Sequence, residues 1–165
     1  MDDKNTEIIK NKITGLLNSM GFDCQIFERM EEGRTVFNIK THDAQLLIGK
    51  QGANLEALQH LLRLAVKKDL DSDFIFAIDI DDYKEKRMIY LKELARKAAH
   101  QVRQTKRSVG LPIMPSFERK IVHDYLSLFS DVESESMGSE PNRRIVIKYK
   151  GLSKSEEPFQ FIENS

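Results

Sequence analysis

One stretch constrains this chain more than any other: Leu46-Leu47-Ile48-Gly49-Lys50-Gln51-Gly52-Ala53-Asn54-Leu55. It reads as a short apolar helix, a Gly-Lys-Gln-Gly turn and the start of a second helix, in which Leu55, Leu58, Leu62 and Ala65 recur at helical spacing. Gly49 can end the first helix in a left-handed conformation, and Gly52, lacking a β-carbon, lets a ligand backbone come close where the second helix begins. That helix start presents unpaired N–H groups and the positive end of a dipole, which suits a phosphate. Lys50 and Gln51, a cation and a neutral amide, are useful between the glycines only if they point outward. Such a turn also serves as a plain helix joint, but the apolar residues before it and the amphipathic helix after it favour contact with a nucleic-acid backbone.

The flanking segments supply the rest of a small domain. Thr6 can cap a first helix whose apolar face is Ile8, Ile9, Ile13, Leu16, Leu17 and Met20, ended by Gly21. Residues 22–30 and 34–40 alternate apolar and polar side chains around a Glu31-Glu32-Gly33 turn, which predicts two antiparallel strands. After the paired helices, a turn over residues 69–73 leads into a strand over residues 74–80. The order helix, strand, strand, helix, turn, helix, strand, with Ile48-Gly49-Lys50-Gln51-Gly52 at its centre, resembles a KH domain whose extra helix and strand precede the core. In such domains the loop clamps the backbone of about four single-stranded nucleotides. The resemblance implies that Ile48 and Ala53 floor an apolar groove and that Lys50 touches phosphate. It also implies that Lys67, Lys68 and the 69–73 turn form the loop on the far side of that groove. For the two lysines a solvated helix end is an equally good reading.

Formal net charge is zero, yet the charge is unevenly placed: residues 1–82 hold 10 Lys/Arg against 15 Asp/Glu, and residues 83–165 hold 16 against 11. Nine of those basic residues fall within residues 83–110, where a phosphate backbone would find counterions. Residues 82–106 read as one long helix with Leu91, Leu94, Ala95, Ala98 and Val102 on its apolar side. Its other side carries Lys92, Arg96, His100, Arg103 and Arg107 at steps of four, four, three and four. With no acidic residue four positions away along that stripe, the charges read either as a solvated face or as a phosphate track.

Beyond an extended Leu111-Pro112-Ile113-Met114 segment, Pro115-Ser116 opens another helix. Phe117, Ile121, Tyr125 and Leu128 line one side of it, joined by Val122, Leu126 and Phe129, which leaves Arg119, Lys120 and His123 as the exposed strip. Arg119 and His123 are neighbours four apart, and an arginine in a first turn opposes the helix dipole unless an anion binds there. Residues 132–137 and 143–149 read as a hairpin, with Arg143 and Arg144 on opposite faces. The Arg119-Lys120-Ile121-Val122-His123 spacing, with Pro115 to Glu118 before it and Glu140-Pro141-Asn142-Arg143-Arg144 after it, resembles the Arg-xxx-His single-stranded nucleic-acid-binding domain.

A KH domain followed by an Arg-xxx-His domain is similar to the Jag, or SpoIIIJ-associated, family of bacterial RNA-binding proteins, over residues 6–150. Members often carry a further small amino-terminal domain, which these 165 residues do not include. The expected fold is α+β. A KH domain spans residues 1–81, and an Arg-xxx-His domain with a three-stranded sheet and the long basic linking helix spans 82–150. A polar tail over residues 151–165 carries an apolar patch at residues 158–162. The nucleic-acid-binding residues expected are Ile48, Gly49, Lys50, Gln51, Gly52, Ala53, Arg96, Arg103, Arg119, Lys120, His123, Arg143 and Arg144. The expected ligand is single-stranded RNA, with single-stranded DNA as a second class. The resemblance adds a small KH protein, or the chain itself, as a protein partner.

Other classes fare worse. A single cysteine, Cys24, and four scattered histidines build no disulfide framework or zinc site. No phosphate-binding G-x-x-x-x-G-K-[ST] loop or nucleophile triad is present, so no catalytic residue, metal or cofactor is expected. Asp79, Asp81 and Asp82 could hold Mg²⁺, but at a strand–helix junction they read better as caps. No apolar run approaches a membrane span, and the charged start is unlike a signal peptide, so the expectation is a cytoplasmic protein without membrane insertion. The competing function is a protein-interaction or oligomerisation module with weak RNA binding.

Overall fold

The computed structural model describes residues 3–70, 74–150 and 160–162. The chain divides into two compact units, Met1–Lys84 and Glu85–Ser165. The 71–73 part of the expected turn and residues 151–159 and 163–165 of the expected tail lie outside the described residues.

In the first unit, helix α1 (Asp3–Ser19) puts Ile9, Ile13 and Leu17, spaced by four, on one buried face. It starts ahead of Thr6, so that residue is inside the helix and does not cap it. Its end is fixed by a Schellman motif: Gly21 takes φ 84, its N–H bonds to the Asn18 carbonyl and the Phe22 N–H to the Leu17 carbonyl. Strands β1 (Gln25–Glu31) and β2 (Arg34–Lys40) pair antiparallel, Gln25 opposite Lys40 through Glu31 opposite Arg34. Glu32 and Gly33 join them with φ 47 and 78, the two left-handed residues that a tight hairpin turn requires. Helices α2 (Ala44–Ile48) and α3 (Ala53–Val66) follow, linked by a tight turn over Lys50–Gly52.

Strand β3 (Phe76–Ile80) then lies parallel to β2, giving the order β1-β2-β3. Phe37, Ile39, Phe76, Ile78 and Ile80 of these strands share one core with Ile9, Ile13 and Leu17 of α1 and with Leu55, Leu58, Leu62 and Val66 of α3. The strand expected from residue 74 begins two residues later, and Ile75, just ahead of it, is exposed.

The second unit is built on helix α4 (Tyr83–Thr105), whose first two residues belong to the first unit. Leu91, Ala95, Ala98, Ala99 and Val102 bury one side of it. Strand β4 (Val109–Gly110), helix α5 (Ser116–Leu126), and strands β5 (Val132–Met137) and β6 (Arg144–Tyr149) complete the core with Leu111, Met114, Val122, Leu126, Val132, Ile145 and Ile147. The expected hairpin is present, Val132 opposite Tyr149 through Met137 opposite Arg144. The three strands are joined by a short fourth, β7 (Gln160–Phe161), which pairs parallel with β4 and gives the order β5-β6-β4-β7. The Ile162 N–H bonds to the Gly110 carbonyl at 3.0 Å, and Ile162 packs on the core. Part of the polar tail therefore returns to the sheet. No helix among the described residues is long and apolar enough to cross a membrane.

Candidate nucleic-acid interface

The Gly49–Gly52 loop is shaped by two positions that only glycine fills without strain. Gly49 closes α2 at φ 70, ψ −176, a region more restrictive than the left-handed cap read from sequence. Any β-carbon there would stand 2.5 Å from Cγ of Asn54. The Asn54 amide in turn donates to the Leu46 carbonyl at 2.8 Å, so the first turn of α3 satisfies an acceptor of α2 and ties the two helices together. Gly52 is left-handed at φ 83, and a β-carbon on it would meet Cε1 of Tyr83 at 2.9 Å. Gln51 also has positive φ, at 55. Lys50 is exposed between them, and among the described residues no carboxylate pairs with it. Ile48 is half-buried against the core and Ala53 is exposed.

An ion network flanks Tyr83. Asp79 is buried and accepts from Arg29 Nη2 at 3.3 Å and from the N–H groups of Ile80 and Lys84. Asp82 accepts from Arg29 Nη1 and Asn38 Nδ2, both at 2.8 Å, and from Lys40 Nζ. The hydrogen bond from Lys40 and the guanidinium of Arg29 hold the Asp82 carboxyl below the usual carboxylate range, while burial lowers the Lys84 ammonium. Asp79 thus caps the start of α4 through Lys84, and Asp82 next to Tyr83 is bonded to β1 and β2. Three carboxylates of the acidic half, those of Asp79, Asp81 and Asp82, are taken up here by Arg29 and Lys40. Among the described residues no group of three or more His, Cys, Asp or Glu is arranged to hold a metal.

Two residues of the basic stripe on α4 have carboxylate partners. Arg96 bonds Glu93 at 2.9 Å, both exposed, because i and i−3 are as close as i±4 on a helix. Arg103 grips Asp131 through two bonds of 2.6 and 2.9 Å and lies over the Phe129 ring. Asp131 comes from the loop after α5, which no local spacing reveals. Both arginines therefore have carboxylate partners.

On α5 the exposed strip includes Phe117, Lys120 and Asp124 and continues to Leu128 in the turn after the helix, whereas Arg119 is buried and His123 half-buried. Phe117 and Leu128, expected inside, are 56% and 76% exposed. Arg119 turns under the helix instead, its Nη1 donating to the Met114 carbonyl at 2.8 Å and its Nη2 to Glu140 Oε1 at 2.6 Å. His123 faces strand β5, with Nδ1 2.7 Å from the Ser134 hydroxyl and Nε2 3.0 Å from that of Ser136. Burial, assisted by the Arg119 charge and opposed by Asp124, lowers the imidazole below its ordinary value. The helix is turned this way because Arg119 and His123 find polar partners on the hairpin, while the fully buried Glu118 is claimed by a two-bond contact from Arg87. Of the hairpin arginines, Arg143 is exposed and Arg144 is half-buried on β6. Arg119 and His123 are thus brought together with Ser134, Ser136 and Glu140 into one polar seam, and Lys120 is left outside it. Sequence spacing does not single out Asn54, Tyr83, Ser134, Ser136 or Glu140 as site residues. Only Glu140 has a local signal, the Glu-Pro-Asn-Arg-Arg run.

Comparison with known proteins matches residues 9–92 to a KH domain and residues 90–149 to an R-three-H domain, the domain named for its Arg-xxx-His spacing. The chain is 35% identical over 151 residues to a protein named RNA-binding protein KhpB from Clostridium symbiosum, covering 91% of this chain and 67% of that one. It is 42% identical over 123 residues to the protein of that name from Bacillus subtilis strain 168, covering 73% and 59%. It is 39% identical over 110 residues to that from Lactiplantibacillus plantarum, covering 67% and 34%. The chain thus spans about two thirds of the first relative and less of the others.

Proposed function

The chain belongs to the KhpB, or Jag, family of proteins that join a KH domain to an R-three-H domain, and on that premise we propose that it binds single-stranded RNA without catalysing a reaction. One observation carries the reading: a loop with positive φ at Gly49, Gln51 and Gly52, where a β-carbon is refused at both glycines, presents an exposed lysine at the start of a 14-residue helix. A bare backbone, a cation and a helix N-terminus together suit a strand phosphate and carry no base preference of their own. Ile48, Gly49, Lys50, Gln51, Gly52 and Ala53 form the clamp in this reading. Arg119, His123 and the exposed Lys120 and Arg143 form the second site, in which the lowered His123 acts as a neutral hydrogen-bonding group rather than a cation. Arg96, Arg103 and Arg144 contribute only if they exchange the contacts they now make. Single-stranded DNA is a second ligand class for the same sites, and the biological role is that of a cytoplasmic regulator or chaperone of RNA. With a KH part over residues 1–81 covalently joined to an R-three-H part over 82–150, two modest sites can act at high effective concentration.

The test is titration of a labelled single-stranded RNA of about 20 nucleotides into wild type, a Lys50→Asp/Gln51→Asp variant and an Arg119→Gln/His123→Gln variant across a salt series. Micromolar-range binding that weakens with salt and is reduced in both variants is the expected outcome. Affinity that neither pair alters would remove the reading.

A second reading is favoured by Ala53, Ala57, Leu61 and Leu64, which form an exposed apolar stripe on α3, with both leucines about half exposed. We propose on that basis a protein-docking face for a small KH protein or a second copy. Concentration-dependent sedimentation that Leu61→Glu abolishes supports it, and a monomer at all concentrations that also fails to bind a small KH protein excludes it.

A further inference from the structure

The Arg119 side chain is 6% exposed, whereas the carboxylate that holds it, Glu140, is 61% exposed. The other terminal nitrogen of the guanidinium, Nη1, donates to the Met114 carbonyl. A phosphate approaching Arg119 therefore meets an Nη2 that already carries an anion at 2.6 Å. Building on the RNA-binding reading above, we infer that the Glu140 carboxylate occupies the phosphate position of Arg119 in the free protein and is exchanged for a strand phosphate on binding.

The two partners stand very differently toward water. Glu140 sits in an exposed turn, residues 138–143, and returns to solvent at little cost. Arg119 is desolvated and cannot be left unpaired without the full cost of a buried charge. Simple opening of the pair is unfavourable, and replacement of one oxyanion by another is close to balanced. A neutral ligand has no means of displacing the carboxylate, so the exchange admits anions only. Glu140 also lowers the affinity of this site by the work of expelling it, which makes Glu140 a tuning residue for the seam of Arg119, His123, Ser134 and Ser136.

The experiment is a titration of labelled oligouridine of about 20 nucleotides into wild type, Glu140→Gln and Glu140→Asp, each repeated with Arg119→Gln. Glutamine removes the competing charge, and aspartate keeps it but is one methylene too short to hold the same contact. Both are expected to bind about threefold to tenfold more tightly, and the gain is expected to vanish when Arg119 is absent. Because aspartate preserves net charge, its gain cannot come from weaker long-range repulsion. Thermal unfolding confirms that each variant is folded, and either variant alone suffices. Unchanged or weaker binding, or a gain that survives Arg119→Gln, overturns the inference while leaving the RNA-binding reading intact. If wild type binds no RNA, that reading falls and takes the inference with it.

Discussion

Gly52 and Tyr83 are in steric register: a β-carbon on the glycine would stand 2.9 Å from Cε1 of the tyrosine ring and 3.3 Å from its hydroxyl. The loop is thus backed by a side chain from the start of α4, itself next to Asp82 in a network that reaches β1 and β2. Strain and clash add at this position. Gly52→Ala is expected to cost about 1 to 3 kcal/mol in urea unfolding, and the cost should shrink when Tyr83→Ala opens the space. An equal cost in both backgrounds would show that the ring does not matter.

Gly49 lies in a region still more restrictive than that of Gly52, with the Asn54 side chain 2.5 Å from where a β-carbon would be. Gly49→Ala should therefore destabilise by at least about 2 kcal/mol. Asn54→Ala, which removes the bond to Leu46, should cost about 1 kcal/mol. Urea midpoints measured on the two variants check the order.

The buried Glu118–Arg87 pair offers a separate test in the second unit. Glu118→Ala removes a fully buried carboxylate bonded twice by Arg87, whose side chain is a fifth exposed. The expected loss is about 2 to 4 kcal/mol, less than for a dry pair because Arg87 keeps some water. A denaturation midpoint within error of wild type would contradict it.

Stability should also depend on pH through His123. Burial lowers the folded-state imidazole below its ordinary 6.5, so the unfolded chain takes up the proton first as pH falls. The contribution is present in full above that ordinary value and is lost as pH drops through it toward the folded value. His123→Gln should flatten the stability profile between pH 7 and about pH 5 relative to wild type. Chemical denaturation across that window measures it.

How far the residues revealed the fold depended on whether the information was local. Glycines and turn pairs announce the loop, the β1–β2 hairpin and the helix ends, and β2 falls on residues 34–40 as the alternation predicts. The α+β class follows from such punctuation, whereas the order of KH and R-three-H domains comes from the family resemblance of the Gly-Lys-Gln-Gly and Arg-xxx-His motifs, which the family models match. Side-chain partners do not. An amphipathic pattern counts Arg119 and His123 as surface residues because it cannot know that Ser134, Ser136 and Glu140 arrive beneath them from a hairpin 11 to 21 positions away. The same pattern puts Phe117 and Leu128 inside, whereas turning α5 toward the hairpin turns Phe117 outward and the helix ends before Leu128, which lies in an exposed turn. Asp131 reaches Arg103 across 28 positions, and Asp82 reaches Arg29 across 53, distances at which spacing carries no signal.

The proposed grip of the Gly49–Gly52 loop on a single strand is tested by amide chemical-shift mapping while unlabelled single-stranded RNA is added to the full chain. The backbone amides of Gly49, Lys50, Gln51, Gly52 and the first turn of α3 are expected to shift progressively, and Lys50→Asp is expected to suppress those shifts. RNA that binds while leaving these amides unmoved, or no shift anywhere at saturating strand, would contradict it.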